Sequence, residues 1–196
     1  MLWDYAIASD GVMSRFKVVV TDQVFPSVDI ERRLLAEIDA ELKVADGTVP
    51  GVLALAADAD GLLNTYLPID AELFGKLGRC KIVARYGIGI DNIDVAAASR
   101  AGITVTNVPD YSVQEVAAHA LAMMLSLARR LPLADALVRD GKWGIDQLRP
   151  LRRLSGMTFG LVGYGRIARQ LSLSIRALGG SLHVVADFGD REYRLT

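Results

Sequence analysis

Apolar residues along this chain recur in two alternating patterns, short continuous runs and longer stretches with helical spacing. The short runs are typical of buried strands and fall at 17–22, 42–45, 61–66, 81–85, 103–107, 158–162 and 182–186. Apolar positions three and four residues apart predict helices at 28–38, 71–77, 95–100, 112–131 and 166–178. Strands that alternate with helices in this way predict an α/β fold with a mainly parallel sheet.

Polar and glycine residues mark where several of these helices begin and end. Asp94 is a predicted N-cap for the helix at 95–100, and Gly102 is its predicted stop. Gly78 ends the helix at 71–77. Ser112 followed three residues later by Glu115 predicts a capping box at the start of the longest helix.

The longest helix is apolar almost all round from Val116 to Leu131, which predicts that it is buried on several sides. Pro132 interrupts it, and a second helical stretch continues to Asp140, where Gly141 stops it. We interpret the two stretches as a helical arm between two domains. The alternative is a core helix of a single domain.

Composition and charge exclude several classes of protein. Of the 196 residues, 52% are apolar, and 22 basic against 23 acidic side chains leave a net charge of −1. This balance argues against disorder and gives no electrostatic field for nucleic acid or an anionic membrane. No segment is apolar enough for a membrane span. The chain has a single cysteine, Cys80, which excludes an internal disulfide and a multi-cysteine zinc site. One free cysteine suits a reducing compartment. We therefore expect a cytoplasmic protein without a metal.

A glycine-rich turn with the spacing G-x-G-x-x-A lies between the predicted strand at 158–162 and the helix that follows. Gly163 allows a tight turn, Gly165 lets the backbone approach a pyrophosphate, and Ala168 lets the helix pack on the strand. Asp187, 24 residues after Gly163, is placed to accept hydrogen bonds from a ribose, which favours NAD over NADP. The alternatives are a tight turn without a ligand and an ordinary aspartate at a strand end.

A second pair of glycines, Gly87 and Gly89, follows the predicted strand at 81–85. Glycines at a strand end let backbone amides face a ligand, and clusters of amides suit carboxylate oxygens. The alternative is a sharp loop that glycine shapes without any ligand.

Both glycine segments and the residues between them resemble the D-2-hydroxyacid dehydrogenase family. The matching stretches are YGIGIDNID at 86–94, AGITVTNVPDY at 101–111, EVA at 115–117, ARR at 128–130 and SGMTFGLVGYGRI at 155–167. The VPDY sequence is similar to the branch that contains C-terminal-binding-protein corepressors and phosphoglycerate-dehydrogenase-like enzymes. The resemblance covers about residues 15–180.

This resemblance implies an oxidoreductase that transfers a hydride between NAD(H) and a small 2-hydroxy or 2-oxo acid. It implies a flavodoxin-like substrate domain at 16–110 and, at 111–196, the first βαβ of a Rossmann NAD-binding domain with the helical arm. Residues 1–15 are then an N-terminal extension, and either Met1 or Met13 is the start.

The resemblance also implies roles for single residues. The amides of Gly87, Ile88 and Gly89 would bind the substrate carboxylate, and Ile88 would also lie against the nicotinamide. The pyrophosphate would be held by the turn residues, namely Gly163, Tyr164, Gly165, Arg166 and Ile167. The helical arm would form a homodimer.

The chain departs from the family at its end. The family's catalytic arginine, glutamate and histidine follow the first half of the cofactor domain, whereas this chain ends at Thr196. Neither His119 nor His183 stands in a sequence context that suits the missing histidine. The segment after Gly180 is about one residue too long, as a frameshift or early stop would make it. We therefore expect a truncated chain with negligible turnover; the alternative is a non-catalytic fragment or interaction module.

Overall fold

The computed structural model describes residues 15–185. The chain divides into two compact units, and the division falls between Pro109 and Asp110.

The first unit is built on a sheet of five parallel strands in the order β2-β1-β3-β4-β5. The strands are β1 (Phe16–Val20), β2 (Ala40–Val44), β3 (Gly61–Asn64), β4 (Ile82–Arg85) and β5 (Thr104–Thr106). The helices between them are α1 (Asp29–Ala36), α2 (Val49–Ala56), α3 (Ala71–Phe74) and α4 (Val95–Arg100). This strand order is that of flavodoxin-like folds, so the predicted fold class of this unit is confirmed.

The main cluster of buried apolar residues in the first unit lies on one face of its sheet. Val19, Leu62 and Val83 occupy paired positions on β1, β3 and β4, and each is at most 1% exposed. Apolar residues of α2, α3 and α4 pack against them, among them Val52, Phe74, Ala97 and Ala98. Each fully buried valine or leucine contributes about 1.5–3 kcal/mol relative to an exposed one. Burial on this face therefore fixes the register of the strands and the positions of the loops at their ends.

The predicted ends of α4 are confirmed, and those of α3 are only half right. The Asp94 carboxylate accepts a hydrogen bond from the Ala97 amide at 2.8 Å, and Gly102 has φ +70° after the last turn of α4. The expectation that α3 continues to Gly78 is wrong, because α3 ends at Phe74. The backbone then forms tighter turns, in which Leu77 N donates to Phe74 O at 3.1 Å.

The sequence pattern missed helix α2 altogether. Its residues, VPGVLALA, are apolar or small at every position, so no helical period separates a buried face from a polar one. The helix begins because the Thr48 hydroxyl accepts a hydrogen bond from the Gly51 amide at 3.1 Å, with Pro50 in the first turn.

The second unit contains one βαβ motif and two further helices. Strands β6 (Thr158–Val162) and β7 (Ser181–Val185) pair in parallel and are connected by α7 (Arg166–Ala177). The helices α5 (Val113–Ala128) and α6 (Leu131–Arg139) precede them and are together called the helical arm below. The βαβ confirms the fold that was predicted for this part of the chain.

Two expectations for α5 are wrong. Ser112 makes no capping hydrogen bond, because its ψ of 19° belongs to a turn in which Val113 N donates to Asp110 O. The expected burial on several sides is also absent, since Ala117 is the one buried residue of α5 while Met123 and Leu127 are 53% and 76% exposed. Within its unit α5 packs along α7 and α6, which cannot cover a helix that is apolar all round.

The break between α5 and α6 is as predicted. Arg130 adopts a left-handed conformation with φ +53°, and Pro132 lies in the first turn of α6. Gly141, with φ +71°, follows the end of α6. Neither these helices nor any other in residues 15–185 has the length and hydropathy that crossing a bilayer requires.

Candidate functional site

The first candidate site is the loop that follows β4, at the edge of the sheet where all five parallel strands end. Parallel sheets bind ligands at this edge because the loops after the strands converge there. The loop is held to β3 by a hydrogen bond from Tyr86 N to Asn64 O at 2.9 Å. Gly87, Ile88 and Gly89, the predicted carboxylate-binding residues, follow directly.

The carbonyl groups of this loop are held from the end of β5. The Gly87 carbonyl accepts a hydrogen bond from Val108 N at 3.1 Å, and the Ile88 carbonyl accepts one from Asn107 Nδ2 at 2.6 Å. In the part of the chain that the structure describes, the amides of Ile88 and Gly89 have no hydrogen-bond acceptor. Unpaired neighbouring amides are the arrangement that binds an anion.

Arg85, the last residue of β4, lies against this loop and was missed in the sequence. A Cβ atom placed on Gly87 would stand 2.0 Å from Arg85 Nη1, so only glycine leaves the guanidinium this position. Arg85 Nε is buried without a hydrogen-bond partner, and Arg85 forms none of the ion pairs found among the described residues. An arginine without an ion pair among the described residues therefore lies against Gly87, the residue before the two unpaired amides. The signal in the sequence was an arginine at the end of a buried strand, directly before a glycine loop.

A network of hydrogen-bonded polar side chains connects the loops at this edge of the sheet. Asn64, which is fully buried, donates to Thr21 Oγ1 at 3.0 Å and accepts from Asn92 Nδ2 at 2.9 Å. The Asp22 carboxylate accepts hydrogen bonds from the amides of Thr65 at 3.0 Å and Tyr66 at 2.6 Å. These bonds tie the ends of β1 and β3 to the loop after β4. Sequence reasoning missed them because the partners are 28 to 44 residues apart.

The Tyr86 side chain, at the start of this loop, contacts Glu31 of α1 and Phe25 just before α1. Its hydroxyl donates to Glu31 Oε1 at 3.0 Å, and its ring meets the Phe25 ring edge-on at 5.3 Å between centroids. Burial, together with the carboxylates of Glu31 and Asp22, raises the pKa of the Tyr86 phenol. The phenol is therefore neutral at physiological pH.

The second candidate site is the glycine turn between β6 and α7. Gly163 has φ +88°, a conformation that favours glycine, and its amide donates to Val185 O at 2.6 Å. Gly165 is the extended N-cap of α7, and a Cβ atom placed on it would meet nothing within 4 Å. Open space thus lies in front of the first amides of α7, as the approach of a pyrophosphate requires. Arg166 and Ile167 form the first turn of the helix.

The Tyr164 side chain folds back onto α7. Its hydroxyl lies 3.1 Å from Ser172 Oγ, and the Arg169 guanidinium stacks over its ring and donates to its carbonyl at 3.1 Å. Tyr164 therefore offers its backbone, and not its ring, to the space before the helix. Beside it an open cleft of about 770 Å³ runs between α7 and the start of α5.

The remaining candidates give no further site in the described residues. Asp187, the predicted ribose-binding residue, lies outside the described residues. His119 and His183 are exposed and form no hydrogen bond or ion pair in the described part of the chain. Between residues 15 and 185 no three histidine, cysteine or acidic side chains cluster as metal ligands.

Comparison with known proteins finds similar dehydrogenases and reductases, both in sequence and in structure. The D-3-phosphoglycerate dehydrogenase of Mycobacterium tuberculosis is 39% identical over 136 residues, which are 69% of this chain and 25% of that protein. The glyoxylate reductase of Korarchaeum cryptofilum is 34% identical and covers 80% of this chain and 50% of its own length. The crystal structure of D-lactate dehydrogenase from Aquifex aeolicus, complexed with NAD and lactic acid, superposes with a TM-score of 0.76 at 28% identity, covering 90% of this chain and 52% of that one.

The chain thus spans about a quarter to a half of the length of the curated relatives it matches. A family model described as the catalytic domain of D-isomer specific 2-hydroxyacid dehydrogenases matches residues 18–192. This match includes both glycine loops and most of each compact unit. The chain therefore belongs to the D-isomer specific 2-hydroxyacid dehydrogenase family.

Proposed function

We propose that the loop after β4 binds the carboxylate of a 2-hydroxy or 2-oxo acid. The observation that carries this proposal is that the amides of Ile88 and Gly89 have no acceptor in the described residues, while the carbonyls of Gly87 and Ile88 accept hydrogen bonds from the residues after β5. Arg85 adds a positive charge that no described acidic side chain neutralises. Charge-assisted hydrogen bonds to a carboxylate are shorter and stronger than neutral ones, so the loop amides and Arg85 favour an anion, against the opposing charge of the Asp91 carboxylate beside Gly89.

The glycine turn before α7 is the proposed cofactor site, and NAD is the proposed cofactor. The residues present fit a pyrophosphate, because a side chain on Gly165 would fill the open space before the helix amides. Gly163, Tyr164, Gly165, Arg166 and Ile167 would hold the phosphates through backbone amides and the positive end of the helix dipole. Asp187 would bind the ribose, and Ile88 would lie against the nicotinamide. NAD(H), when bound, supplies or accepts the hydride.

In this proposal residues 16–110 are the substrate domain and residues 111–196 are part of the cofactor domain. The division of the two compact units between Pro109 and Asp110 supports the assignment. The proposed activity of the whole protein is hydride transfer between NAD(H) and a small 2-hydroxy or 2-oxo acid. The proposed location of the protein is the cytoplasm.

The 196-residue chain has, in our proposal, negligible turnover of its own. Its two histidines, His119 and His183, are both exposed and have no acidic partner in the described residues. Loss of a general acid or base reduces a rate by about 10²–10⁴-fold. An assay of NADH oxidation with glyoxylate, hydroxypyruvate and pyruvate tests this proposal, and turnover at or above about 1 s⁻¹ would refute it.

A second candidate function is an interaction module that associates through the helical arm. The observation that favours it is the exposed apolar surface of the arm and the following loop, where Leu127, Leu131 and Trp143 are 76%, 54% and 92% exposed. A homodimer through this surface is compatible with both candidates. Binding of a 2-oxo acid analogue at the loop after β4 distinguishes them, since a pure interaction module has no reason to retain it.

A further inference from the structure

The orientation of the two unpaired amides depends on the groups that hold their carbonyl neighbours. We propose that Asn107 is a positioning residue, which orients the peptide between Ile88 and Gly89 so that the Gly89 amide faces the carboxylate. This inference rests on the proposed function of the loop and adds a residue 19 positions away in sequence.

Peptide planarity connects Asn107 to the Gly89 amide. In a trans peptide the C=O and N–H groups point in opposite directions. The Ile88 carbonyl and the Gly89 amide belong to one peptide, so the bond from Asn107 Nδ2 to Ile88 O at 2.6 Å turns the Gly89 N–H away from β5. The bond from Val108 N to Gly87 O does the same for the Ile88 N–H. Both amides therefore leave the loop on the side opposite the end of β5.

Of these two bonds, only the one from Asn107 comes from a side chain. Gly89 has the wide backbone freedom of glycine, so the peptide between Ile88 and Gly89 can rotate at small cost when its carbonyl is released. Asn107 is itself exposed, and burial therefore does not account for its position. A hydrogen bond to the carbonyl also polarises the peptide and strengthens its N–H as a donor.

The test uses the full ¹⁵N-labelled chain, its Asn107→Ala and Asn107→Asp variants, and Thr106→Ala as the control. Thr106 is the neighbouring exposed residue on β5, and its side chain forms no hydrogen bond in the described structure. The probe is oxalate, a planar dianion that mimics a 2-oxo acid. The measurements are the ¹⁵N order parameters of Ile88 and Gly89 without ligand and the dissociation constant of oxalate from the shifts of the same two amides.

We expect the order parameter of Gly89 to fall in both Asn107 variants and to stay at the wild-type value in Thr106→Ala. The oxalate dissociation constant should rise about three- to tenfold in Asn107→Ala, as the loss of one hydrogen bond implies. It should rise further in Asn107→Asp, whose carboxylate repels both the Ile88 carbonyl and the anion. The melting temperature, measured in parallel, separates this local effect from unfolding.

Two results would overturn the inference while leaving the proposed function intact. One is an unchanged Gly89 order parameter in both Asn107 variants. The other is lower order at Gly89 with unchanged oxalate affinity, which would make Asn107 a structural residue only. If oxalate shifts no amide of the loop in the wild-type chain, the proposed function itself fails, and the positioning role fails with it.

Discussion

At the scale of single residues, the candidate site depends on contacts that cross the sequence. The glycines at 87 and 89 were recognisable because two glycines directly after a buried strand form a local pattern that lets backbone amides face a ligand. Arg85 was not recognisable, since its importance comes from the position of its guanidinium over Gly87, which no local pattern encodes. Asn107 could not be recognised for the same reason, because it follows β5 whereas its partner Ile88 follows β4.

Replacing Gly87 with alanine tests the role of Arg85. The new methyl group would collide with the guanidinium, which is the flexible end of a long side chain and can move. We expect a loss of stability below about 1 kcal/mol, because the clash is relieved by a side chain and not by the backbone. The oxalate dissociation constant should nevertheless rise severalfold, since the cation leaves the loop.

The control for this variant is Gly78→Ala, where an added Cβ would meet only the Ala57 carbonyl at an ordinary 3.7 Å. It should leave both stability and oxalate affinity unchanged. Titration calorimetry and urea unfolding measure the two quantities. Unchanged oxalate affinity in Gly87→Ala would remove Arg85 from the proposed site.

Replacing Gly165 with valine tests the cofactor site. The space before α7 is open in the structure, so the fold should tolerate the side chain. A pyrophosphate would occupy the same space, so NAD binding should be lost. We expect the wild-type chain to bind NAD with a dissociation constant on the order of 1 mM, or about −4 kcal/mol.

The matched variant is Gly160→Val, which also introduces valine at a glycine with nothing within 4 Å, but in the middle of β6. It should bind NAD as the wild-type chain does. Calorimetric titration of NAD into the three proteins decides the matter. Equal affinity in Gly165→Val would mean that the cofactor does not approach this turn.

At the level of secondary-structure elements, the positions of strands were predicted better from the sequence than the burial of helices. β6 and the start of α7 have the predicted bounds because a buried strand, a glycine turn and a helix give three consecutive local signals. α2 was missed because an element without a polar face has no period. The burial of α5 was overestimated because an apolar surface shows that a helix can be buried, but not whether enough neighbouring elements are present in its unit to cover it.

Two caps make a matched pair of predictions about element stability. Thr48 caps α2 through its hydroxyl, which also donates to Asp46 Oδ1 at 2.7 Å, whereas Ser112 makes no cap for α5. Thr48→Ala should therefore lower the free energy of unfolding by about 1 kcal/mol. Ser112→Ala should change it by less than about 0.5 kcal/mol. Urea unfolding followed by circular dichroism measures both, and a larger loss for Ser112→Ala would contradict the cap assignment.

At the scale of the whole molecule, the second unit exposes much apolar surface. One face of the β6–β7 pair carries Val162 and Val185 at 95% and 60% exposure, and the helical arm adds Leu127 at 76%. Sheets of parallel strands normally have both faces covered, and exposed patches of this kind promote association. The fold class and the uncovered face of a lone βαβ could be predicted from the sequence. The exposure of the helical arm could not, because it depends on which elements are neighbours in space.

We expect the chain to self-associate through the helical arm. Leu127→Glu places a charge in the middle of this apolar surface and should weaken association at least tenfold. The control Leu173→Glu places the same charge on α7, where Leu173 is 63% exposed, and should have little effect. Sedimentation velocity over a range of micromolar concentrations measures both. A wild-type chain that stays monomeric throughout would refute the homodimer.

In our proposal the unpaired amides after β4 hold the carboxylate of a 2-oxo acid. The most direct test is a ¹H–¹⁵N correlation spectrum of the wild-type chain titrated with oxalate, with sodium sulfate as the control anion. We expect saturable shifts centred on the amides of Ile88 and Gly89, together with the Arg85 Nε–H signal, and weaker binding of sulfate. If oxalate shifts none of these groups, or if sulfate produces the same shifts at the same concentrations, the loop does not bind the carboxylate of a 2-oxo acid.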